Sequence, residues 1–207
     1  MYRAHLGEVY WSTSMARQRE FVESDVIERA MWLFAAQGYE ATSIRDLKQA
    51  MAISSSSMYE TFGDKRGIFL AALARFCELE RAQIAQMAAD SAGPRDFIER
   101  LFRSIDTMVA QTAPPIHGSL AFNAMVEFGT RDSEVTNLLL THYFGIAEII
   151  ANVLAQAQVK SASDNATLSI AYTLLSTLHG VATLKSVKPD FQHISNITQV
   201  ILKLLED

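Results

Sequence analysis

Apolar residues return every three or four positions along almost the whole chain, the signature of helices that bury one face. Val26, Ile27, Ala30, Leu33 and Phe34 form the first such stripe across residues 24–37, and Gly38 follows where a left-handed C-cap would sit. Ile44, Leu47 and Met51 form a second, opened by Thr42 or by Ser43, the latter with Asp46 three residues on. Met58 and Phe62 mark a third. Ser54 is its better cap because both residues then lie inward, although Ser57 with Glu60 offers a competing capping box. Asp64 suits the cap of a long fourth helix whose buried side carries Phe69, Leu73, Phe76, Ile84 and Met87.

The pattern then repeats five more times. Pro94 suits a first helical turn, and Phe97, Leu101, Ile105 and Met108 continue a fifth helix until Pro114-Pro115 stops it. A shorter sixth spans 119–128. Asp132 or Ser133 begins a seventh, whose wide stripe runs from Val135 through His142, Tyr143, Ile146 and Ile150 to Val153. A polar break at 159–163 precedes an eighth helix, marked by Leu168, Ala171, Tyr172, Leu175, Leu178, His179 and Ala182, which ends at Lys188-Pro189. Phe191, Ile194, Ile197, Ile201 and Leu204 mark the ninth. An all-α protein of about nine helices is therefore expected, and the composition agrees. Of 207 residues 49% are hydrophobic, and only four prolines and nine glycines interrupt them.

Charge adds a restriction. A net charge of -5 and a pI near 5.5 argue against an indiscriminate binder of nucleic acid. Residues 1–70 are nevertheless close to balance, with eight Lys and Arg against nine Asp and Glu. The lone cysteine, Cys77, has no partner for an intrachain disulfide and falls on a helical stripe, which suggests a buried thiol in a reducing cytoplasm. No uninterrupted run of about 18 apolar residues marks a membrane span, and the first residues lack the apolar centre of a signal peptide. Residues 1–14 show no helical period and precede Met15-Ala-Arg-Gln-Arg-Glu, so they read as an upstream extension or tail. The expected divisions are this tail, a small unit over 15–66 and a larger one over 67–207.

The stretch from Thr42 to Lys65 reads as a helix, a tight turn and a second short helix. If Ile44, Leu47, Met51, Ile53, Met58 and Phe62 share one small core, then Arg45, Lys48, Ser55, Ser56, Ser57 and Tyr59 point outward. That polar set suits phosphates and base edges. The residues Ala30-(x)2-Leu33-Phe34-(x)3-Gly38-Tyr39-(x)2-Thr42-Ser43-Ile44-Arg45-Asp46-Leu47 and Ile53-Ser54-(x)3-Met58-Tyr59-(x)2-Phe62-Gly63-Asp64-Lys65-(x)2-Ile68-Phe69 resemble the N-terminal pattern of the TetR family of ligand-responsive transcriptional repressors. Gly118-Ser119-Leu120, Asn123-Ala124 and Arg131-Asp132 also look like a variant of that family's regulatory body.

The resemblance implies a DNA-binding head, a helical body that holds a small effector, dimerisation through helices eight and nine, and a palindromic duplex as partner. Carried over by position, Thr42 and Tyr59 would contact phosphates, Lys65 would reach a phosphate from the first turn of helix four, and Ser55, Ser56 and Ser57 would face the major groove. Ser43 and Ser54 complete the DNA-facing set, with Arg45 its strongest contact. Two departures stand out. Ala52 occupies the turn position usually held by Gly, and Ser55 stands where Lys or Arg is common. Arg17 and Arg19 could supply the missing charge from a minor-groove arm, the alternative being a solvated tail.

For the body the resemblance suggests an effector pocket drawn from Phe76, Phe102, Met108, Phe122, Met125, Phe128, Tyr143 and Tyr172, which would take a mostly apolar molecule; plain core is the alternative for each residue. Leu175, Leu178, Ala182, Ile194, Ile197 and Ile201 are the expected dimer residues, although packing within one chain would give the same pattern. His117, His142 and His179 fall on different helices without metal-ligand spacing, so satisfied or partly buried histidines are expected. Neither a cofactor site nor a catalytic constellation is suggested by spacing. Two functions from different classes follow: a DNA-binding regulator, read as a repressor released by its effector, and a helical ligand-binding or interaction protein whose helix-turn-helix is only structural.

Overall fold

The computed structural model describes residues 23–110, 119–156, 164–188 and 190–206. Over these the chain forms α1 (Glu23–Gln37), α2 (Ile44–Met51), α3 (Ser55–Phe62), α4 (Lys65–Ala89), α5 (Pro94–Ala110), α6 (Leu120–Phe128), α7 (Ser133–Ala155), α8 (Asp164–Val187) and α9 (Ile194–Glu206), and no strand is present among the described residues. Local chemistry sets the ends. Ser43 and Asp46 make the reciprocal capping box of α2, Ser54 accepts from the Ser57 amide at the head of α3, and Asp64 accepts from the Gly67 amide to start α4. The choice at α3 thus goes to Ser54. Asp132 caps α7 through the Glu134 and Val135 amides.

Two apolar cores result. The first joins Val26, Phe34, Leu47, Met51, Met58, Ile68, Phe69 and Leu73 to Leu120, Ala124, Val135 and Leu139, so α1 to α4 are packed on α6 and the start of α7. The packing does not break at residues 66 and 67. The second core gathers Ile84, Phe97, Leu101, Phe102, Ile146, Ile150, Ala171, Leu175, Leu178, Ile194 and Leu202 from the far ends of α4 and α7 and from α5, α8 and α9. Helices α4 and α7 are packed on each other and run through both.

Residues 133–155 and 166–187 are long and apolar enough to cross a membrane by length and composition, despite the interruptions at Glu134 and Glu148. In this fold α7 is a core helix, buried against α4, α6 and α8. Cys77 lies in the first core, where burial pushes its thiol up to about 12.

Candidate nucleic-acid interface and the body behind it

The turn between α2 and α3 is made by Ala52, at φ 55° and ψ 37°, with its amide donating to Lys48 O. It is the non-glycine residue of positive φ among those described, so the position keeps the left-handed geometry without glycine's freedom. The turn fixes the angle at which α3 leaves α2. With Leu47, Met51 and Met58 fully buried beneath it, the two short helices present one outer surface.

That surface carries Arg45 and Lys48 on α2 and Ser56 and Tyr59 on α3, all exposed, with 48% of Tyr59 open to solvent. Ser55 is half-buried. Ser54 Oγ lies 3.0 Å from Ser56 Oγ and 2.9 Å from Ser57 Oγ, so three of the four serine hydroxyls knit together at the start of α3. Ser43 is exposed, but its hydroxyl donates to Asp46 Oδ2 at 2.5 Å within the cap. These hydrogen bonds hold the Asp46 carboxyl below its ordinary range. The cap thus holds the carboxylate against the first turn of α2 and keeps it ionised.

Two residues of the expected DNA set sit differently. Thr42 is only 1% exposed and donates its hydroxyl to Gly38 O at 2.7 Å, so it closes the turn between α1 and α2 rather than facing outward. Lys65 folds back, with Nζ 4.3 Å from the centre of the Tyr39 ring and 3.4 Å from Glu40 O. A cation held over an aromatic face remains available to an anion at the head's edge. Arg17 and Arg19 lie outside the described residues.

Behind the head, two polar joints tie it to the body. The Arg66 guanidinium, at the start of α4, donates to Asp132 through Nε at 2.8 Å and Nη2 at 3.0 Å, and to Glu134 at 2.9 Å. This pairing holds the Asp132 carboxyl down at about 2. At the end of α6, Glu127 accepts from the backbone amides of Tyr39 at 2.9 Å and Glu40 at 2.7 Å. Gly38 makes this approach possible, because at φ 80° it turns the chain so that consecutive amides converge on one carboxylate. The rings of Phe34, Tyr39, Phe69 and Phe128 pack around the joint at centroid distances of 4.9–6.2 Å. Sequence spacing gave no sign of the Glu127 joint, since its partners are amides 87 and 88 residues away.

The expected effector residues are dispersed. Phe102 belongs to the second core, and Phe76 and Phe128 pack with the first. Met125 and Tyr172 are exposed, the latter beside Phe144 on the outside of α7 and α8. The Met108 side chain lies outside the described residues, as does His117. Phe122 and Tyr143 do come together, through His179: Phe122 stacks on the His179 ring at 5.2 Å, and Tyr143 meets it edge-on at 5.4 Å. His142 adjoins Tyr143 and is bonded to Glu80 of α4 at 2.9 Å.

Satisfied or partly buried histidines are expected from the sequence, whereas His142 and His179 are buried, each with one ring nitrogen unpaired. His142 Nδ1, His179 Nε2 and the Tyr143 hydroxyl are buried without hydrogen-bond partners. Burial lowers the His179 pKa and raises that of the Tyr143 phenol, so both rings favour their neutral forms. No group of three or more His, Cys, Asp or Glu side chains suited to a metal occurs among the described residues.

The expected dimer residues are also redistributed. Leu175, Leu178 and Ile194 are buried inside the chain's own second core, and Ala182, Ile197 and Ile201 pack at its margin. The apolar residues left outside on α8 and α9 are Leu184, Val187, Val200 and Leu204, with Val187 80% and Leu204 71% exposed.

Comparison with known proteins matches this architecture. Residues 26–72 fit the family model described as bacterial regulatory proteins, tetR family. The uncharacterized HTH-type transcriptional regulator YezE of Bacillus subtilis (strain 168) is 33% identical over 89 residues, 43% of this chain and 46% of that protein, so the match spans under half of the relative's length. The HTH-type transcriptional repressor ComR of Escherichia coli (strain K12) is 25% identical over 148 residues, covering 71% of this chain and 70% of that one. Among solved structures, a TetR transcriptional regulator from Legionella pneumophila gives a TM-score of 0.76 at 18% identity, covering 90% of this chain and 99% of its own. A TetR family regulator, CifR, solved as a cysteine mutant with 26-bp operator DNA, gives 0.70 at 21% identity, covering 92% and 98%.

Proposed function

We propose that this chain, whose residues 26–72 fit the tetR-family model and whose fold matches solved regulators of that family, is a DNA-binding transcriptional regulator of the tetR family: a cytoplasmic repressor that binds a palindromic operator as a homodimer and is released by a small effector. The observation that carries the reading is the rigid outer surface of α2 and α3, with Arg45, Lys48, Ser56 and Tyr59 exposed on an intact apolar base. Arg45 supplies the bidentate chemistry that serine hydroxyls lack, and Tyr59, Lys48 and Lys65 supply phosphate contacts. Ser43, Ser54 and Ser57 act mainly as caps, and Thr42 as a turn lock. The regulator CifR, similar in fold, was solved with operator DNA.

In this reading the exposed apolar residues of α8 and α9 meet the same residues of a second chain, forming a four-helix contact. Two heads would then be held at a separation suited to half-sites about 34–36 Å apart. Effector binding in the body changes that separation through α4, which starts at the Arg66 joint, and through α6, which ends at Glu127. The effector releases DNA only to the extent that it prefers one head spacing over the other.

Selection from a pool of random duplexes followed by sequencing tests the proposal. Enrichment of one palindromic sequence is the expected result. A pool that stays random would leave the helix-turn-helix a structural element only and overturn the regulator reading for this chain.

A further inference from the structure

We infer that the buried group formed by Glu80, His142, Tyr143 and His179 is the polar end of an effector site for a small uncharged ring compound carrying a hydroxyl or N–H donor. This inference rests on the effector-release reading and changes its chemistry, since a purely apolar molecule would leave the polar atoms of this group unmatched.

Four elements build the site. Helix α4 brings Glu80, α7 brings His142 and Tyr143 as neighbours, and α8 brings His179; Phe122 of α6 covers the far face of the His179 ring. The His142 side chain is fully buried and His179 is 6% exposed. Three polar atoms here, His142 Nδ1, His179 Nε2 and the Tyr143 hydroxyl, have no partner. Buried polar groups are otherwise almost always hydrogen-bonded, so three exceptions in one cluster call for a partner that the chain itself does not supply.

The chemistry of each atom narrows the ligand. His142 Nε2 pairs with Glu80 at 2.9 Å, and the unpartnered Nδ1 is free to accept from a ligand hydroxyl or N–H in the tautomer whose Nε2–H faces the carboxylate. The Tyr143 hydroxyl donates and accepts. One ligand hydroxyl can therefore donate to His142 Nδ1 and accept from Tyr143, with His179 Nε2 as a further partner. The rings of Phe122, Tyr143 and His179 pack around these atoms, and aromatic neighbours favour a flat unsaturated partner. Glu80 places negative charge beside the site, so an anionic ligand is rejected.

The position also has a regulatory consequence. Phe122 and Glu127 stand on the same short helix, α6, the one touching this group and the other holding the Tyr39 and Glu40 amides of the head. A ligand that displaces Phe122 pushes on the element that grips the α1–α2 turn.

The test uses the full chain and three probes of similar size: phenol, toluene and benzoate, titrated by calorimetry. Phenol is expected to bind about tenfold tighter than toluene, as one matched hydrogen-bonding group provides, with benzoate weaker than either. Tyr143→Phe keeps its ring and loses the hydroxyl, and His179→Phe exchanges the imidazole for an apolar ring; each should cut the preference for phenol to under about threefold while toluene affinity persists. Tyr143→Phe should not lower the unfolding midpoint of the ligand-free protein, because it removes only an unpartnered buried atom. Equal binding of phenol and toluene, no binding of phenol, a preference that survives both substitutions, or a midpoint lowered by Tyr143→Phe would overturn the inference. Operator binding is followed in parallel. Selective phenol binding that leaves operator affinity unchanged upholds the site and overturns the release reading instead.

Discussion

Replacing Glu127 by Ala removes one carboxylate and two hydrogen bonds, to the Tyr39 amide at 2.9 Å and the Glu40 amide at 2.7 Å. Hydrogen bonds to a charged group are worth about 1.5–3 kcal/mol each when shielded from water. Here the Tyr39 bond is part-buried and the Glu40 bond exposed, so both freed amides can turn to solvent. The net loss should therefore be about 1–2 kcal/mol for the pair. In a chain of this size that lowers the unfolding midpoint by roughly 2–8 °C. Glu127→Gln keeps one acceptor oxygen and should lose about half as much. Calorimetry gives the midpoint, and hydrogen exchange gives the local effect: faster exchange at Tyr39 and Glu40, with the Leu47 and Met58 amides unchanged. A midpoint within about 1 °C of the parent, together with unaltered exchange at Tyr39 and Glu40, would refute the reasoning that this carboxylate ties α6 to the head.

Other expectations follow from the same geometry. Tyr59→Phe combined with Lys65→Ala should weaken binding to all duplexes alike and flatten the salt dependence by about one to two phosphate contacts in a salt titration; sequence-selective loss would contradict phosphate roles. Ala52→Gly relieves a left-handed alanine, about 1 kcal/mol, against an entropy cost of about 0.4–1 kcal/mol in the unfolded chain, so stability should stay level or rise slightly in denaturant titration. If the proposed dimer forms through α8 and α9, Val187→Glu with Leu204→Glu should leave monomers in sedimentation equilibrium and abolish tight operator binding, with the helical content unchanged. Asp132 titrates near 2 when folded, below its ordinary 3.8, so its contribution to stability is complete above the ordinary value and is lost as pH falls between the two. In acid unfolding, Asp132→Asn should show a shallower loss of stability across that window.

Legibility in the sequence followed the range of the interactions. The helices of the head could be read because Ser43, Ser54 and Asp64 act within three residues of themselves, and the apolar stripes of Val26, Phe34, Leu47 and Met58 needed only helical spacing. Apolar spacing says that a residue is covered, but not by what. Leu175, Leu178 and Ile194 therefore passed as interface residues until the second core claimed them, while Val187 carried no stripe signal and stands outside. Thr42 misled for a related reason, since a threonine at a helix start reads as a cap or a phosphate contact, whereas its hydroxyl closes onto Gly38 O. The Glu80–His142 bond spans 62 residues and the Glu127 joint 87 and 88, and no local pattern encodes either.

The buried Cys77 sets the tempo of any switch built on this chain. It is the sole cysteine, and with its thiol pushed up to about 12 almost none of it is thiolate at neutral pH. Peroxides and electrophiles attack thiolates, so they find no purchase here. Under the proposed effector reading, the signal is then carried by occupancy rather than by oxidation of this thiol, and it fades as fast as the occupant dissociates. No reductase would be needed to reset such a switch, and its response would track a changing concentration instead of remembering its peak.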